Sequence, residues 1–442
     1  MSHGCYPLHP SLATASELPR EVDMVIAGSG IMGCATAYYL SKQGLSVLVC
    51  DKAGLASQQS TRAWGFVRQQ ARDPAEVPLM MAAMPLWQNL EHELQLPLEW
   101  RQGGCLYLAE TEQHLSEYQE WLGVAQQFGL DTRVLSRNEV AEKIPGLADP
   151  AKGGLFTASD GQAEPRRVTP GFALRGFEAG VHFAEGCGVT AIDRAAGAIC
   201  GVQTERGYVK TKRVLIAAGA SSWRLLKPLG LEIPQQAIRS TVSRTSPGAD
   251  IGACSFIGHG IGMRQRADGS INLADEAQAD IDLSLSFLRG ASWYLPLLPE
   301  HHHSFRFRLN GAFLHDLRQR FSGNDPAIAE RDPHALPQAE RIKRAQAALG
   351  RAFPQLRGVR VIESWAGFID VLPDGIPVLD APSQVPGLLI ATGFCGHGFA
   401  MGPIVGKLMS QWATSGQSGF DLKAFGCSRF ADGTAGKPYS LF

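Results

Sequence analysis

The chain has 442 residues, long enough for about three domains and therefore for a sizeable core. Its charges nearly balance, with 41 Lys and Arg against 42 Asp and Glu, and no block of like charge stands out, which argues against a nucleic-acid groove or a polybasic membrane patch. The 9 cysteines include no C-x-x-C pair, which indicates reduced cytosolic thiols and gives no support to a metal site. Because we find neither a signal-peptide layout nor a long uncharged apolar run, we expect a soluble protein with a flexible leader over 1–19 and a small-molecule partner.

The chain opens with a strand, a glycine turn, a helix and a second strand. VDMVIAG (22–28) is an apolar run of strand length, and GSGIMG follows it as a turn into the helical pattern ATAYYLSKQ, which Gly44 closes. LSVLVCD (45–51) then has the pattern of a second buried strand. This order predicts an α/β fold with parallel strands covered by helices.

The first turn carries a dinucleotide-binding pattern. Gly28 permits a tight turn, Gly30 lets the backbone approach a pyrophosphate, and Gly33 lets the helix pack closely on the strand. Asp51 ends the second strand, where an acidic side chain can bind a ribose hydroxyl. The pattern predicts dinucleotide binding and leaves the identity of the nucleotide open.

The rest of the chain predicts two interleaved domains. Helices are expected near 79–94 and 112–128, with a strand in GGCLYLAE between them, and the sheet pattern of the first domain returns in RVLIAAGA and GLLIATG. The apolar run around 283–298 could dock on a bilayer surface, although Asp282 and Arg289 argue against a spanning helix. We therefore assign 20–75, 151–235 and 345–425 to a discontinuous nucleotide-binding domain, and 76–150 and 236–344 to a substrate-binding domain.

A second glycine loop bears on the identity of the nucleotide. TGFCGHGFAMGP joins a strand over 387–393 to a helix expected to begin near Pro403, so that a helix N-terminus points out of the same sheet edge. The positive end of a helix stabilises the negative charge that a flavin acquires on reduction, whereas a nicotinamide becomes neutral. The loop therefore favours FAD, although glycine loops also precede helices that bind no cofactor.

Several motifs together resemble the FAD-dependent amine oxidoreductases of the D-amino-acid oxidase, glycine oxidase and sarcosine oxidase superfamily. They are GSGIMG with Asp51, RVLIAAGASSW, PDGIPVL and GLLIATGFCGHGFAMGPIVGKL, spread over about 22–415. Within the superfamily, RAWGFVRQQARDP, WRQGGCLYLAET, FTASDGQAEPRR and SWAGFIDVLPD are most similar to bacterial L-amino acid deaminases and related dehydrogenases. The resemblance implies a Rossmann-like FAD-binding domain and a second domain with a mainly antiparallel sheet above the flavin.

The resemblance also implies which residues contact FAD. The segment after the second strand would follow the pyrophosphate and then pass under the flavin ring, and Val189 would hold the adenine. The implied contacts are Gly28, Gly30, Ile31, Gly33, Asp51, Lys52, Ser60, Thr61, Arg62, Ala63, Gly65, Val189, Ala218, Gly219, Trp223, Gly393, Gly396, His397, Gly398 and Phe399.

Candidate substrate residues follow from the same segment and from two later ones. Arg68 would bind a substrate carboxylate with Gln70 beside it, unless Arg62, Arg68 and Arg72 pair with nearby acids such as Asp73 and Glu76. Arg264 or Arg266 could supply a second clamp. Trp365 is a pocket wall or a core residue, and His397 lies near the flavin or has a structural role.

Two positions depart from the monomeric sarcosine oxidases. Those enzymes attach their flavin through a cysteine whose counterpart here is Gly367, and they use a lysine after GHGF where this chain has Ala400. We therefore expect non-covalent FAD and find a sarcosine oxidase assignment doubtful. Bacterial deaminases carry a membrane-spanning N-terminus, and we expect none in this chain.

These observations lead to an expected function. We expect FAD-dependent oxidation of an amino acid, in the L-form, at its α-carbon, giving an imine and then a 2-oxo acid and ammonia, with oxygen or a quinone as electron acceptor. The alternatives are oxidation of a secondary amine such as proline, hydroxyproline or an N-methyl amino acid, a non-catalytic flavoprotein assembly factor, and an NAD-linked dehydrogenase. We expect a cytoplasmic protein. Peripheral contact with the inner face of the membrane and the oligomeric state are both left open.

Overall fold

The computed structural model describes residues 17–276, 279–283, 285–297, 305–308 and 335–439, together with 313, 314, 318, 321 and 331. Most of the predicted leader lies outside these residues, and the apolar run around 283–298 lies partly outside them.

The strands and helices follow the order expected for interleaved domains. The strands are β1 (Met24–Ala27), β2 (Val47–Cys50), β3 (Phe66–Val67), β4 (Cys105–Ala109), β5 (Thr132–Ser136), β6 (Gly153–Thr157), β7 (Gly161–Gln162), β8 (His182–Ala184), β9 (Val189–Ala195), β10 (Ala198–Thr204), β11 (Gly207–Lys210), β12 (Val214–Ile216), β13 (Gln236–Thr245), β14 (Ser255–Gly258), β15 (Ile261–Gln265), β16 (Ile271–Asp275), β17 (Ala279–Asp282), β18 (Phe305–Arg308), β19 (Val361–Val371), β20 (Val378–Asp380) and β21 (Leu388–Thr392). The helices are α1 (Ile31–Ser41), α2 (Val77–Leu94), α3 (Glu112–Phe128), α4 (Arg137–Lys143), α5 (Pro165–Glu178), α6 (Ser222–Leu226), α7 (Leu285–Tyr294), α8 (Ala339–Ala352) and α9 (Gly398–Ser415).

The first sheet has six strands in the order β20, β21, β12, β1, β2, β8. All neighbours are parallel except β20, which runs antiparallel to β21. Every residue of β1, β2, β12 and β21 is buried, as expected for strands covered on both faces. Ala27 lies opposite both Cys50 and Ile216, so the carboxyl ends of β1, β2 and β12 meet at one edge.

The second sheet has ten strands and is mainly antiparallel. Its longest pairing joins β13 to β19, from Gln236 opposite Val371 to Thr245 opposite Val361. One face of this sheet packs on α8 through a core that includes Phe256, Leu273 and Leu349. The two sheets confirm the predicted fold class, a Rossmann-like parallel sheet with a second, mainly antiparallel one.

Some predicted boundaries differ from the observed ones. Strands β6 and β19 pair within the ten-stranded sheet, although 151–235 and 345–425 were assigned to the nucleotide-binding domain. A short buried run does not reveal which of two sheets it joins, because that depends on distant partners. Helix α9 begins at Gly398 rather than near Pro403, since the glycines before the proline already adopt helical backbone.

Helix α1 lies at the centre of the nucleotide-binding half and is buried from Ile31 to Leu40. Two glycines permit this packing. A Cβ on Gly33 would lie 2.0 Å from the carbonyl oxygen of Gly28, and a Cβ on Gly406 of α9 would lie 2.4 Å from the Cβ of Ala35. Close approach to β1 and α9 therefore fixes where the N-terminus of α1 points.

We predict that Trp87→Ala destabilises the protein by about 3–5 kcal/mol, because large cavities in a core cost this much. Trp87 is fully buried, stacks on Trp100 at 5.7 Å between ring centroids, and packs on Phe399 at 5.2 Å. Its Nε1 also donates to the carbonyl oxygen of Ala400 at 2.8 Å, which links α2 to α9. Urea denaturation measures the change, with the exposed Ile362→Ala as control. A loss below about 1 kcal/mol, as expected for the control, would contradict the prediction.

Candidate cofactor and substrate site

A cleft with about 1370 Å³ of empty space, counted out to its open mouth, lies at the carboxyl edge of the parallel sheet. Its walls come from the β1–α1 turn, the end of β2, residues 58–63, residues 188–189, residues 217–221, strand β19 and the loop before α9. Segments that are far apart in the chain thus line one continuous cleft of a size suited to a dinucleotide.

The β1–α1 turn fits a pyrophosphate. Gly28 has a φ of 111°, and a Cβ there would lie 2.3 Å from the carbonyl oxygen of Ala217, so only glycine suits this position. Gly30 caps α1 with extended backbone and no side-chain hydrogen bond, and the N–H of Ile31 donates to Ser60 Oγ at 2.9 Å. The exposed N–H groups and the helix dipole both favour a negatively charged ligand at this end.

Asp51 is oriented for a ribose. The N–H and the hydroxyl of Ser29 donate to its Oδ2 at 2.8 and 2.7 Å, and the N–H of Ala53 donates to its Oδ1 at 2.8 Å. Asp51 and Lys52 line the cleft, and Lys52 Nζ donates to Ser221 Oγ at 2.9 Å. Oδ1 therefore still has a lone pair that can accept a hydrogen bond from a hydroxyl group.

The other end of the cleft lies at the N-terminus of α9. Gly396, Gly398 and Phe399 line it, and His397 caps the helix without a side-chain hydrogen bond to the backbone. A Cβ on Gly398 would lie 3.0 Å from the Cβ of Phe394, so the loop is tightly folded here. The free helix N–H groups favour the negative edge of a flavin, and the cleft as a whole fits FAD.

The predicted FAD contacts divide into two groups. Those that line the cleft are Gly28, Gly30, Ile31, Asp51, Lys52, Ser60, Ala63, Val189, Ala218, Gly219, Gly396, Gly398 and Phe399. The others, which support the walls instead, are Gly33, Thr61, Arg62, Gly65, Trp223, Gly393 and His397. Gly65 shows the difference, because a Cβ there would lie 2.4 Å from Arg264 Nε, so glycine is needed for packing against the second sheet.

The structure adds cleft residues that the sequence did not single out, including Gln59, Phe368 and Asp370. Asp370 is buried, and its Oδ2 accepts from the N–H of Gly393 at 2.8 Å and from Gln235 Nε2 at 3.1 Å. Burial raises the pKa of Asp370 to about 6. The sequence feature that could have identified Asp370 is an acidic residue inside the apolar strand pattern SWAGFIDVLP.

Arg68 lies behind the loop that precedes α9, among buried polar groups. Its guanidinium stacks over the Tyr107 ring at 5.1 Å, and its Nη1 donates to the carbonyl oxygen of Gln70 at 2.6 Å. The side chain of Gln70 accepts from Thr157 Oγ1 at 3.0 Å. Among the described residues, neither Arg68 nor Arg72 forms a salt bridge with a carboxylate. The structure therefore shows no direct ion pair between these two arginines and Asp73 or Glu76.

Arg264 and Arg266 are already paired. Arg264 Nη2 lies 2.7 Å from Glu164 Oε2, and Arg266 Nη2 lies 3.1 Å from the same oxygen. Arg264 Nε also donates to the carbonyl oxygen of Trp64 at 2.6 Å. A substrate carboxylate at this position would have to compete with Glu164.

Trp365 and His397 are both buried. Trp365 Nε1 donates to the carbonyl oxygen of Arg62 at 3.0 Å, and Arg166 stacks over its ring at 4.2 Å. His397 Nδ1 lies 3.2 Å from Glu76 Oε1. Burial, followed by the charge of Arg72, lowers the pKa of His397 to about 4, so the ring is neutral at pH 7.

Metal ligands and membrane-spanning helices are the two other features that bear on function. In the parts of the chain that the structure describes, no group of histidine, cysteine and acidic side chains could hold a metal ion. Nor is any helix among the described residues both long and apolar enough to cross a membrane.

Asp370 gives a prediction for the pH dependence of stability. Its pKa is 3.8 in model compounds and about 6 in the folded chain, so the folded state holds the proton more tightly. The stabilisation from this group is present below pH 4 and is lost as the pH rises through 6, by roughly 3 kcal/mol for a shift of about two units. In FAD-free protein, we expect the free energy of unfolding of Asp370→Asn, relative to that of wild type, to increase by this amount between pH 4 and pH 8.

Urea denaturation at several pH values measures this difference, and Glu142→Gln, on the exposed face of α4, serves as control. Parallel pH profiles of wild type and Asp370→Asn would contradict the prediction.

Gly367 gives a prediction for the attachment of the cofactor. Gly367 has no side chain that could bond the flavin, and Gln59 Oε1 and the Cβ of Arg62 would lie 2.2 and 3.2 Å from a Cβ at this position. We expect acid precipitation of the purified protein to release all of its yellow chromophore as FAD, measured by chromatography of the supernatant. Colour that stays in the pellet would show a covalent bond.

Comparison with known proteins shows the family of the chain. The family model described as FAD dependent oxidoreductase (DAO) matches residues 23–412. The β subunit of sarcosine oxidase from Rhizobium meliloti is 27% identical over 418 residues, which cover 93% of this chain and 89% of that protein. The mitochondrial sarcosine dehydrogenase of Mus musculus is 23% identical over 421 residues, which cover 93% of this chain and 42% of that longer protein.

Among solved structures, the L-amino acid deaminase from Proteus myxofaciens in complex with anthranilate superposes with a TM-score of 0.88 at 24% identity, covering 95% of each chain. The likeness confirms the fold, and the family match confirms the resemblance that the motifs predicted and the dependence on FAD. The chain belongs to the DAO family of FAD-dependent oxidoreductases, which act on the C–N bonds of amino acids and amines.

Proposed function

We propose that the protein oxidises the α-carbon of an amino acid and that Arg68 holds the substrate carboxylate. The observation that carries this proposal is a buried guanidinium that forms no salt bridge among the described residues and is in electrostatic contact with His397, the residue that caps α9. Buried charges are normally paired, so an unpaired arginine beside a cofactor cleft favours an anionic ligand. The fold shared with an L-amino acid deaminase is compatible with the same substrate class.

The chain's own residues would act mainly by positioning. FAD, when bound, supplies the acceptor for the hydride from the α-carbon. The N-terminus of α9 would stabilise negative charge at the end of the cleft lined by Gly396 and Gly398. Arg68 would fix the carboxylate and so orient the C–H bond, which is the kind of alignment that contributes most to such a step.

We assign no general base to this reaction. His397 is a poor proton acceptor because burial and Arg72 lower its pKa to about 4. The substrate amine would therefore react in its neutral form after losing its proton to solvent. For a primary amine, water would then convert the imine into a 2-oxo acid and ammonia.

Oxidation of a secondary amine is the second candidate. Two relatives are named for sarcosine, and both align along 93% of this chain. Ala400 occupies the position after GHGF, where the resemblance to monomeric sarcosine oxidases would place a lysine, which weighs against sarcosine itself. Anaerobic mixing with L-, D- and N-alkyl amino acids, followed by flavin absorbance, separates the two candidates. Bound flavin that no amine bleaches would instead favour a non-catalytic flavoprotein.

We predict that Arg68→Ala weakens binding of an amino acid substrate at least tenfold. Loss of a hydrogen bond to a charged group costs about 1.5–3 kcal/mol, and about 1.4 kcal/mol corresponds to a factor of ten. Arg68→Lys should restore only part of the loss, because an ammonium group lacks the planar fork of a guanidinium.

The control for this prediction is a matched amine without the carboxylate. Anaerobic flavin titrations with both compounds give the two affinities. If Arg68→Ala weakens both equally, or only lowers FAD retention, Arg68 does not anchor the carboxylate.

A further inference from the structure

Buried polar atoms without hydrogen-bond partners converge in one cluster behind the loop before α9. In this cluster, Arg72 is in electrostatic contact with Arg68, Tyr107 and Glu76. Glu76 is in turn hydrogen-bonded to His397. The unpartnered atoms of the cluster are Gln70 Nε2, Arg72 Nε, Arg72 Nη1, Glu76 Oε2, Tyr107 Oη and His397 Nε2. Most of these atoms are donors or can act as donors, so the cluster favours a ligand that accepts hydrogen bonds.

We propose that Arg72 is the second cation of the substrate carboxylate site, with Arg68 as the first and with Tyr107 and Gln70 as neutral donors. The proposal rests on the proposed function and assigns to Arg72 the second clamp that the sequence pattern suggested at Arg264. Two guanidinium groups, a phenol and an amide match the lone pairs of one carboxylate.

The balance of charge around Arg72 supports an anionic ligand. Glu76 is hydrogen-bonded to the neutral ring of His397 and supplies one negative charge to the pair of Arg72 and Arg68. Asp160 accepts from the N–H groups of Gln69 at 2.7 Å and Gln70 at 3.3 Å. Burial raises the pKa of Asp160 to about 7, so this carboxyl group is only partly charged at neutral pH. Burial, followed by the charge of Arg68, lowers the pKa of Arg72 to about 9. Two guanidinium groups therefore face one fully charged carboxylate, that of Glu76.

Arg72 is a better second clamp than Arg264 for a geometric reason. Arg264 is 1% exposed, and its Nη2 and Nε already bind Glu164 and the carbonyl oxygen of Trp64. Arg72 is 2% exposed, and none of its nitrogens bonds a carboxylate among the described residues. A carboxylate would therefore share the guanidinium of Arg264 with Glu164, whereas at Arg72 it would meet two nitrogens that have no hydrogen-bond partner.

The test is binding of benzoate, a carboxylate that has no oxidisable C–N bond, to the FAD-loaded enzyme. Isothermal calorimetry and the flavin absorbance give its Kd, and benzamide is the neutral counterpart. We expect Arg72→Gln to raise the Kd of benzoate at least tenfold and to leave that of benzamide unchanged, with Arg72→Lys in between. Arg167→Gln, whose side chain is 44% exposed, is the control for loss of a nearby positive charge.

Arg264→Lys decides between the two clamps. If it raises the Kd of benzoate tenfold while Arg72→Gln stays within twofold of wild type, the proposal is overturned in favour of Arg264. If neither change affects benzoate, the cluster holds only water and the proposal also fails. Should Arg72→Gln not fold, Arg72→Lys and Tyr107→Phe carry the test, and unchanged benzoate binding in both overturns the proposal.

The failure of this inference is distinguishable from the failure of the proposed function. Amino acids that bleach the flavin of the wild type, together with unchanged benzoate binding in the Arg72 variants, would overturn only the role of Arg72. Benzoate binding that depends on Arg72, in an enzyme that no amino acid reduces, would support an anion site and contradict the proposed function.

Discussion

The close contact between the first strand and the first helix is the constraint on which the site depends. Gly33 has no Cβ because the carbonyl oxygen of Gly28 occupies its place, and Gly28 has none because Ala217 lies against it. These contacts put the N-terminus of α1 at the sheet edge where β2 and β12 also end. A side chain at either glycine would push the helix away, and the cleft would lose the end that favours phosphate.

Strand β19 connects this cleft to the second sheet. It pairs with β13 along its whole length, and it contributes Phe368 and Asp370 to the cleft and Trp365 to the sheet face that Trp64 covers. One rigid strand therefore fixes the distance between the wall of the cofactor cleft and the second domain. Sites on such strands are held more precisely than sites on loops.

The arginines of the molecule show how position decides their role. Arg341 is buried against Asp280 and Asp275, and Arg429 is buried against Asp374, so these residues join segments of the fold. Arg264 belongs to the same class through Glu164. Arg68 and Arg72 differ from them, because neither forms a salt bridge among the described residues, although Glu76 and Asp160 are in electrostatic contact with both.

The sequence by itself determined the nucleotide-binding half of the protein. Its signals are local: a buried strand, glycines at fixed spacing, an acid at the end of the next strand and a second glycine loop each depend on neighbours within one turn or strand. The local pattern alone was therefore enough to assign Gly28, Gly30 and Asp51 to a nucleotide site, and all three line the cleft.

Only the tertiary structure decided the partners of the candidate arginines and the membership of the second sheet. The sequence could not show that Arg264 pairs with Glu164 while Arg72 lies beside Tyr107, because Glu164 and Tyr107 come from distant segments. Nor could it place β6 and β19, since their strand partners are set by folding of the whole chain. Charge pairing and sheet pairing over long separations are properties of the folded molecule, and no local pattern encodes them.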